Sequence, residues 1–273
     1  MESVRLKYIK YLQTNFGTQK YLDFKKILYS ENDSLVQVLN NNYLSLIKPY
    51  RKSKLKVCDI GGGDGYRILN ILSFLNRKYH IRFSLDFVEQ SEIYCKLFTN
   101  KFSINNNDIE SNVLNNLFER VEFTEQYDLL FLIHSIFAFD NGNAINKLLN
   151  LVKGDGNIIV VSNSTDSFLA IIKKKIDVDF DDERFEIDML MNILDKLGIR
   201  YSNSNFITEW VIEESSIDKN LNTILHWLSL GNYEKYDSKR QIQLKNDILE
   251  QSERYNDLYL FKEKEQVLII QKE

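Results

Sequence analysis

One proline and two cysteines in 273 residues are scarcities that bound the chain. Cys58 and Cys95 are too few for a disulfide framework, and no His/Cys/Asp/Glu spacing reads as a metal site. Cys58, in an apolar run, reads as a small buried hydrophobe. Long apolar stretches are also missing. None approaches the ~20 residues of a membrane span, and the opening Met1-Glu2-Ser3-Val4-Arg5 lacks the apolar centre of a signal peptide. Basic excess is missing too: the net charge is −4, whereas a nucleic-acid backbone requires a basic footprint. Lys173-Lys174-Lys175 sits beside Asp177, Asp179, Asp181 and Asp182 and reads as a solvated face. These absences lead us to expect a cytoplasmic, reduced protein without membrane or nucleic-acid partners, either monomer or homodimer. The apolar content of 44% is that of an ordinary globular chain, long enough for a core domain with a lid.

Residues 1–48 carry helical periodicity, with Tyr21, Phe24, Ile27 and Leu28 at three- and four-residue spacing, and Pro49 closes that region. Leu55 to Ile60 is a short apolar run followed by Gly61-Gly62-Gly63-Asp64-Gly65, and Ile68, Leu69, Leu72 and Leu75 then mark one helix face. Strand signals at Phe83–Val88, Tyr127–Ile133 and Gly156–Ser162 alternate with helical signals at Glu92–Phe102 and Ala144–Val152, the last ending at Gly154. Such alternation predicts a parallel sheet with helices on both faces. Beyond it come a helix at Glu186–Leu197, strand-like residues at Tyr201–Glu214, helical stretches at Leu221–Leu230 and Gln241–Ser252, and a last strand at Gln266–Ile270. The late strands are expected to close one sheet edge in antiparallel fashion. The organisation expected is a helical segment over 1–50, a Rossmann-like core over 51–200, and closing strands with a helical insertion over 201–273. With no linker rich in Gly, Ser or Pro, these parts are expected to form one compact unit.

The chemistry concentrates at the glycine turn. Glycine lets a ligand lie against the main chain and permits positive φ, and a turn that opens a helix aims its N–H groups outward. The spacing Gly61-x-Gly63-x-Gly65 is one residue shorter than the dinucleotide fingerprint, which suits a mononucleoside cofactor with an amino-acid tail better than a pyrophosphate. Glu89 ends the next strand, where a carboxylate can accept both hydroxyls of a ribose. A purely structural turn and a solvated acid are the bland alternatives.

Asp59-Ile60-Gly61-Gly62-Gly63-Asp64-Gly65 with Val88-Glu89 resembles the signature of class I S-adenosylmethionine-dependent methyltransferases, and Asp128 to His134 resembles their fourth strand. The resemblance implies that Asp59, Gly61, Gly62, Gly63, Gly65, Glu89, Gln90, Ile133 and His134 bind the cofactor S-adenosylmethionine. A narrower similarity, to histamine N-methyltransferases, rests on Lys20 to Lys26, Ile158 to Ser162 and Leu194 to Gly198. It implies a small-molecule acceptor contacted by Tyr21, Phe24, Asp33, Phe137, Trp210 and Glu263. His134 stands where that family has a glutamine, Asp33 is one methylene shorter than its acid, Ala138 replaces an aromatic neighbour and Glu263 falls near an asparagine.

Methyl transfer from a sulfonium needs a positioned, neutral nucleophile. His134 can take a proton from an amine, or it merely packs beside the adenosine. Tyr21, Phe24, Phe137, Phe139 and Trp210 form either an aromatic cage or ordinary core, and Asp33 and Glu263 either face a cationic substrate or lie on the surface. The reading is an enzyme that methylates a small molecule at an amine or imidazole nitrogen. The alternatives are O- or C-methylation, cyclisation of the sulfonium compound, or binding without turnover.

Overall fold

The computed structural model describes residues 4–27, 35, 37–41, 54–105, 108–139, 141–176 and 186–271. Its helices are α1 (Val4–Gln13), α2 (Asn15–Ile27), α3 (Tyr66–Tyr79), α4 (Glu92–Asn105), α5 (Asn141–Leu151), α6 (Phe168–Ile176), α7 (Ile187–Lys196), α8 (Ile217–Leu228) and α9 (Ser238–Leu249). Its strands are β1 (Lys54–Ile60), β2 (Arg82–Val88), β3 (Ile109–Leu114), β4 (Tyr127–Ile133), β5 (Val152–Asn163), β6 (Tyr201–Glu213), β7 (Glu253–Tyr255) and β8 (Leu258–Gln271).

These strands form one sheet in the order β3-β2-β1-β4-β5-β8-β6, with β7 added to β8. The pairs β3/β2, β2/β1, β1/β4 and β4/β5 are all parallel. The chain winds outward from β1 through β2 to β3, then restarts at β4 on the other side. This reversal of strand order places a switch point at the C-terminal ends of β1 and β4, where open α/β sheets bind ligands. β4 is central because every residue of Tyr127–Ile133 is apolar or partnered, and all seven are buried. Asp128 is tolerated there through its bonds to Lys56 N–H and the Lys153 ammonium.

The described residues gather into two compact units. The larger draws on Val36–Ser162, Phe185–Ser204 and Gln266–Glu273, the smaller on Met1–Leu35, Asn163–Arg184 and Asn205–Glu265. This differs from the single unit expected from the absence of linkers. Three of the five changes of unit fall within continuous strands, at the end of β5 and inside β6 and β8, where no linker composition marks the boundary. The larger core includes Ile60, Leu130, Leu132, Ile158 and Val160 with Leu148 of α5 and Leu190 of α7. The smaller packs Trp210 and Phe261 against Phe168, Ile172, Ile224 and Leu244.

Two expected boundaries move. The helix α5 stops at Leu151, and Val152 already pairs with Tyr127, so Gly154 lies within β5 instead of ending the helix. β8 starts at Leu258, well before Gln266, because Phe261, Glu263 and Glu265 alternate inward with exposed Lys262 and Lys264. The lysines at 173–175 form the last turn of α6, where Lys175 reaches Asp247 at 2.8 Å. Pro49 and the acids at 177–182 lie outside the described residues.

Candidate functional site

β1 delivers the chain to the switch point, and its register against β2 sets Ile60 beside Val88. Three glycines then turn it into α3 with φ of 70° at Gly61, 60° at Gly63 and 72° at Gly65. Other residues resist such angles. The Gly61 N–H donates to Val88 O at 2.8 Å, closing the loop onto the end of β2.

Two glycines serve the protein's own packing. A Cβ at Gly62 would strike Phe87 and Asp59, and one at Gly65 would strike Phe98. Phe87 and Phe98 stack at 3.9 Å beneath the turn. Gly61 is needed for a third neighbour, since its Cβ would lie 2.6 Å from the Cβ of Ser135. Ser135 in turn donates from Oγ to Ile60 O at 2.6 Å. The end of β4 is thereby pinned to the glycine turn.

Glu89 stands at the end of β2 and is only 7% exposed. One carboxylate oxygen accepts from Gly63 N–H at 2.9 Å and the other from Ser91 N–H at 2.8 Å. Asn115 donates to the Glu89 carbonyl at 2.9 Å and fixes the backbone there. Burial pushes the Glu89 carboxyl up from its ordinary 4.5 to about 7, while the N–H groups of Ser91, Gly63 and Gln90 pull it down. Each oxygen keeps lone-pair capacity for a further donor. Gln90 is half-buried, and its side-chain carbonyl oxygen has no hydrogen-bond partner among the described residues. Such an orphaned acceptor beside a carboxylate matches a ligand rich in hydroxyl and amino donors.

Asp59 is buried at the end of β1, and Ile133 is buried at the end of β4. His134 follows at φ 53°, with its N–H donating to Val161 O at 2.8 Å. This left-handed residue turns the chain out of the sheet, and Phe137 lies half-buried on the short turn Ile136–Ala138 that follows. The structure therefore brings Asp59, the glycines, Glu89, Gln90, Ile133, His134 and Phe137 together in the larger unit.

The remaining expected substrate residues have other surroundings. Trp210 is fully buried between Phe168 and Phe261, each 5.2 Å away, so its place as a substrate contact is corrected to core. Phe24 is buried and stacked on Trp227 at 5.9 Å, again a core position. Phe139 stacks on Phe118 at 5.1 Å and is core likewise. Tyr21 is half-buried against Trp227 at 4.8 Å. Glu263 is 2% exposed, which excludes the surface reading. Its carboxylate accepts from Asn163 Nδ2 at 2.6 Å and from Leu169 N–H at 3.1 Å, capping the first turn of α6. Asp33 lies outside the described residues.

Several residues of the site escaped the sequence reading. Ser91 acts through its backbone N–H and not its side chain, the role of Ser135 depends on Ile60 far back along the chain, and Lys101 pairs from α4 with the buried Asp64 of the glycine turn. The sequence signal for Ser91 was its position two residues after the strand-end acid, where its N–H can fold back onto the carboxylate. Among the described residues no group of three His, Cys, Asp or Glu side chains can hold a metal, and no helix is long and apolar enough to cross a membrane.

No protein-family model matches the chain, and no curated protein matches it. Solved structures do. The YcgJ protein from Bacillus subtilis is similar with a TM-score of 0.54 at 13% identity, over 84% of this chain and 97% of its own. The plantazolicin methyltransferase BamL, solved with a triazolic desmethylPZN analog and SAH, gives 0.54 at 14% identity over 98% of this chain and 96% of its own. Magnesium protoporphyrin IX methyltransferase ChlM from Synechocystis PCC 6803, solved with SAM, gives 0.53 at 11% identity, covering 96% and 94%. At these identities the likeness is one of architecture, and the chain has the Rossmann-like α/β fold of those methyltransferases.

Proposed function

We propose that this protein is an S-adenosylmethionine-dependent methyltransferase whose acceptor is a small molecule with an amine or imidazole nitrogen. The observation that carries the cofactor assignment is the buried Glu89 carboxylate, held by Gly63 and Ser91 N–H groups at the switch point of the sheet. The shared fold with BamL and ChlM, solved with SAH and SAM, supports it. The short glycine turn favours it over a dinucleotide cofactor.

When bound, the cofactor supplies a methyl group activated by a sulfonium centre. Glu89 would accept hydrogen bonds from the two ribose hydroxyls, and the orphaned Gln90 oxygen would take a further donor. Asp59 and the loop Gly61–Gly65 would hold the methionine part, with Ser135 keeping the loop open and rigid. Ile133 would pack beside the adenosine. His134, at the end of β4, would take the proton that an amine sheds as it becomes nucleophilic. Phe137, on the same turn, would present an aromatic face to the acceptor.

Calorimetric titration with S-adenosylmethionine and, separately, with NAD tests the cofactor assignment. Saturable binding of the first alone, lost in Glu89→Ala, is expected. A mass-spectrometric screen of amines for a gain of one methyl group tests the acceptor class, and His134→Ala is expected to lower turnover while leaving cofactor affinity within a few-fold. Binding without turnover on any amine, alcohol or carbon acid would leave a cofactor-binding protein and refute the transferase reading.

A further inference from the structure

His226 is a buried titratable group that the candidate site does not use. It lies in the last turn of α8 and is 6% exposed. Its Nε2 stands 3.0 Å from a carboxylate oxygen of Glu234, so in the neutral ring Nε2 carries the proton and donates it there. Nδ1 is then a bare lone pair, and it has no hydrogen-bond partner among the described residues.

Two elements close over the ring. The first turn of α2 brings Phe16 nearly perpendicular to it at 6.2 Å. The turn after α8 folds back, with φ of 52° at Leu230 and 81° at Gly231, and brings Tyr233 nearly perpendicular to it at 5.6 Å. That turn is tied to the helix end. Gly231 N–H donates to His226 O at 2.9 Å, and Tyr233 N–H donates to Ser229 Oγ at 2.9 Å. The next residue, Trp227, continues the contact with α2, its ring 4.8 Å from Tyr21 and 5.9 Å from Phe24. His226 thus stands in the seam between α2 and α8.

A second proton on this ring has no place in the seam. It would turn Nδ1 into a buried, charged N–H with no acceptor among the described residues, which costs more than a neutral lone pair left alone. Burial and then the Lys20 ammonium on α2 favour the neutral ring, while Glu234 opposes them. The balance leaves His226 below its ordinary 6.5. Lys20 itself lies over the Phe16 ring at 5.3 Å. Tyr11 on α1 and Tyr233 are both held above their ordinary 10 by burial, so they stay neutral while His226 titrates.

We propose that His226 is an acid-operated clasp whose protonation frees α2 from α8. Opening gives Nδ1 the water acceptor that it lacks in the seam and takes the ring away from Lys20. A group depressed in the folded state contributes stability that is present above its unfolded value and is lost as pH falls. The clasp is therefore shut above about pH 6.5, and below it opening grows by up to about tenfold per pH unit.

Hydrogen exchange read segment by segment, corrected for the intrinsic pH dependence of amide exchange, tests this. Between pH 7.5 and 5.5 the opening of α2 should rise about tenfold, while α6 in the same unit and α3 in the larger one should not follow. A local readout is needed because Glu89, in the larger unit, titrates with the opposite effect on stability. His226→Gln, which keeps a donor toward Glu234, should abolish the pH dependence. Lys20→Gln should shrink it and Glu234→Gln enlarge it, since the two charges act on the ring with opposite sign. Equal protection of α2 at both pH values overturns the proposal. Parallel opening of α6 does so too, because the whole unit is then lost and not one contact. So does a pH dependence that survives in His226→Gln. Should that variant not fold, Lys20→Gln and Glu234→Gln decide: opposite responses support the clasp, and equal ones overturn it.

Discussion

Replacing Glu89 by glutamine separates two effects of one buried carboxylate. In the folded protein burial holds this group at about 7, against an ordinary value of 4.5. A folded state that binds the proton more tightly than the unfolded chain gains stability as pH falls. The gain is complete below the unfolded value and is lost as pH rises through 7, and its full size is about 3 kcal/mol. Cofactor binding runs the other way. Accepting two ribose hydroxyls requires the ionised form, so affinity for S-adenosylmethionine should fall about tenfold per pH unit below 7. Between pH 8 and 5.5 the cofactor-free protein should therefore become more resistant to urea while its cofactor affinity declines. Glu89→Gln removes the titrating group and should flatten both curves. It also exchanges two charge-assisted hydrogen bonds for weaker ones, costing about 2–3 kcal/mol, or on the order of 100-fold in affinity at pH 8. Calorimetry gives the affinities and urea titration the stabilities. A native affinity that is level from pH 5.5 to 8, or a glutamine variant that binds as tightly as the native protein at pH 8, would refute the reasoning.

Gly65→Ala forces a Cβ into Phe98 at a backbone angle of φ 72°, and thermal melting should show a loss of at least about 2 kcal/mol. Ser135→Ala keeps the space that Gly61 needs but deletes the bond to Ile60 O; cofactor affinity should weaken several-fold by calorimetry, with a stability loss of about 1 kcal/mol. Lys147 donates to the carbonyls of Phe118, Glu119 and Val121 while lying over the rings of Phe118 and Phe123, so Lys147→Met should cost about 2 kcal/mol in urea unfolding. Leu148→Ala empties a fully buried position in the larger core, and a loss of about 3 kcal/mol is expected from the same assay.

The parts of this fold legible in the sequence are those whose signal is local. β1, the glycine turn and α3 could be read because an apolar run, three glycines and a helical stripe follow one another without interruption, and β4 because burial on both faces demands an apolar run. β3 could not be read. Ile-Glu-Ser-Asn-Val-Leu is an edge strand, mostly exposed or half-buried, and it exists because β2 offers it a ladder from Phe83 to Val88. α6 was hidden for a different reason: Phe168, Ile172 and Ile176 recur at helical spacing, but the three lysines of its last turn drew the reading toward a solvated face. The same division runs through the candidate site. Glycine spacing and a strand-end acid are local features, so the loop and Glu89 could be named. What the glycines make room for is not local: Phe87, Phe98 and Ser135 come from β2, α4 and the end of β4, and only the fold shows that Gly62 and Gly65 serve the protein's own packing. The aromatic residues failed for the converse reason. A ring at helical or alternating spacing looks alike whether it faces a ligand or a core, and Trp210 and Phe24 were decided by neighbours that lie far away along the chain. Glu263 carries the point furthest. A buried acid invites a cationic ligand as its partner, but here the positive end of α6 and the Asn163 amide already supply one, so its charge holds α6 onto β8.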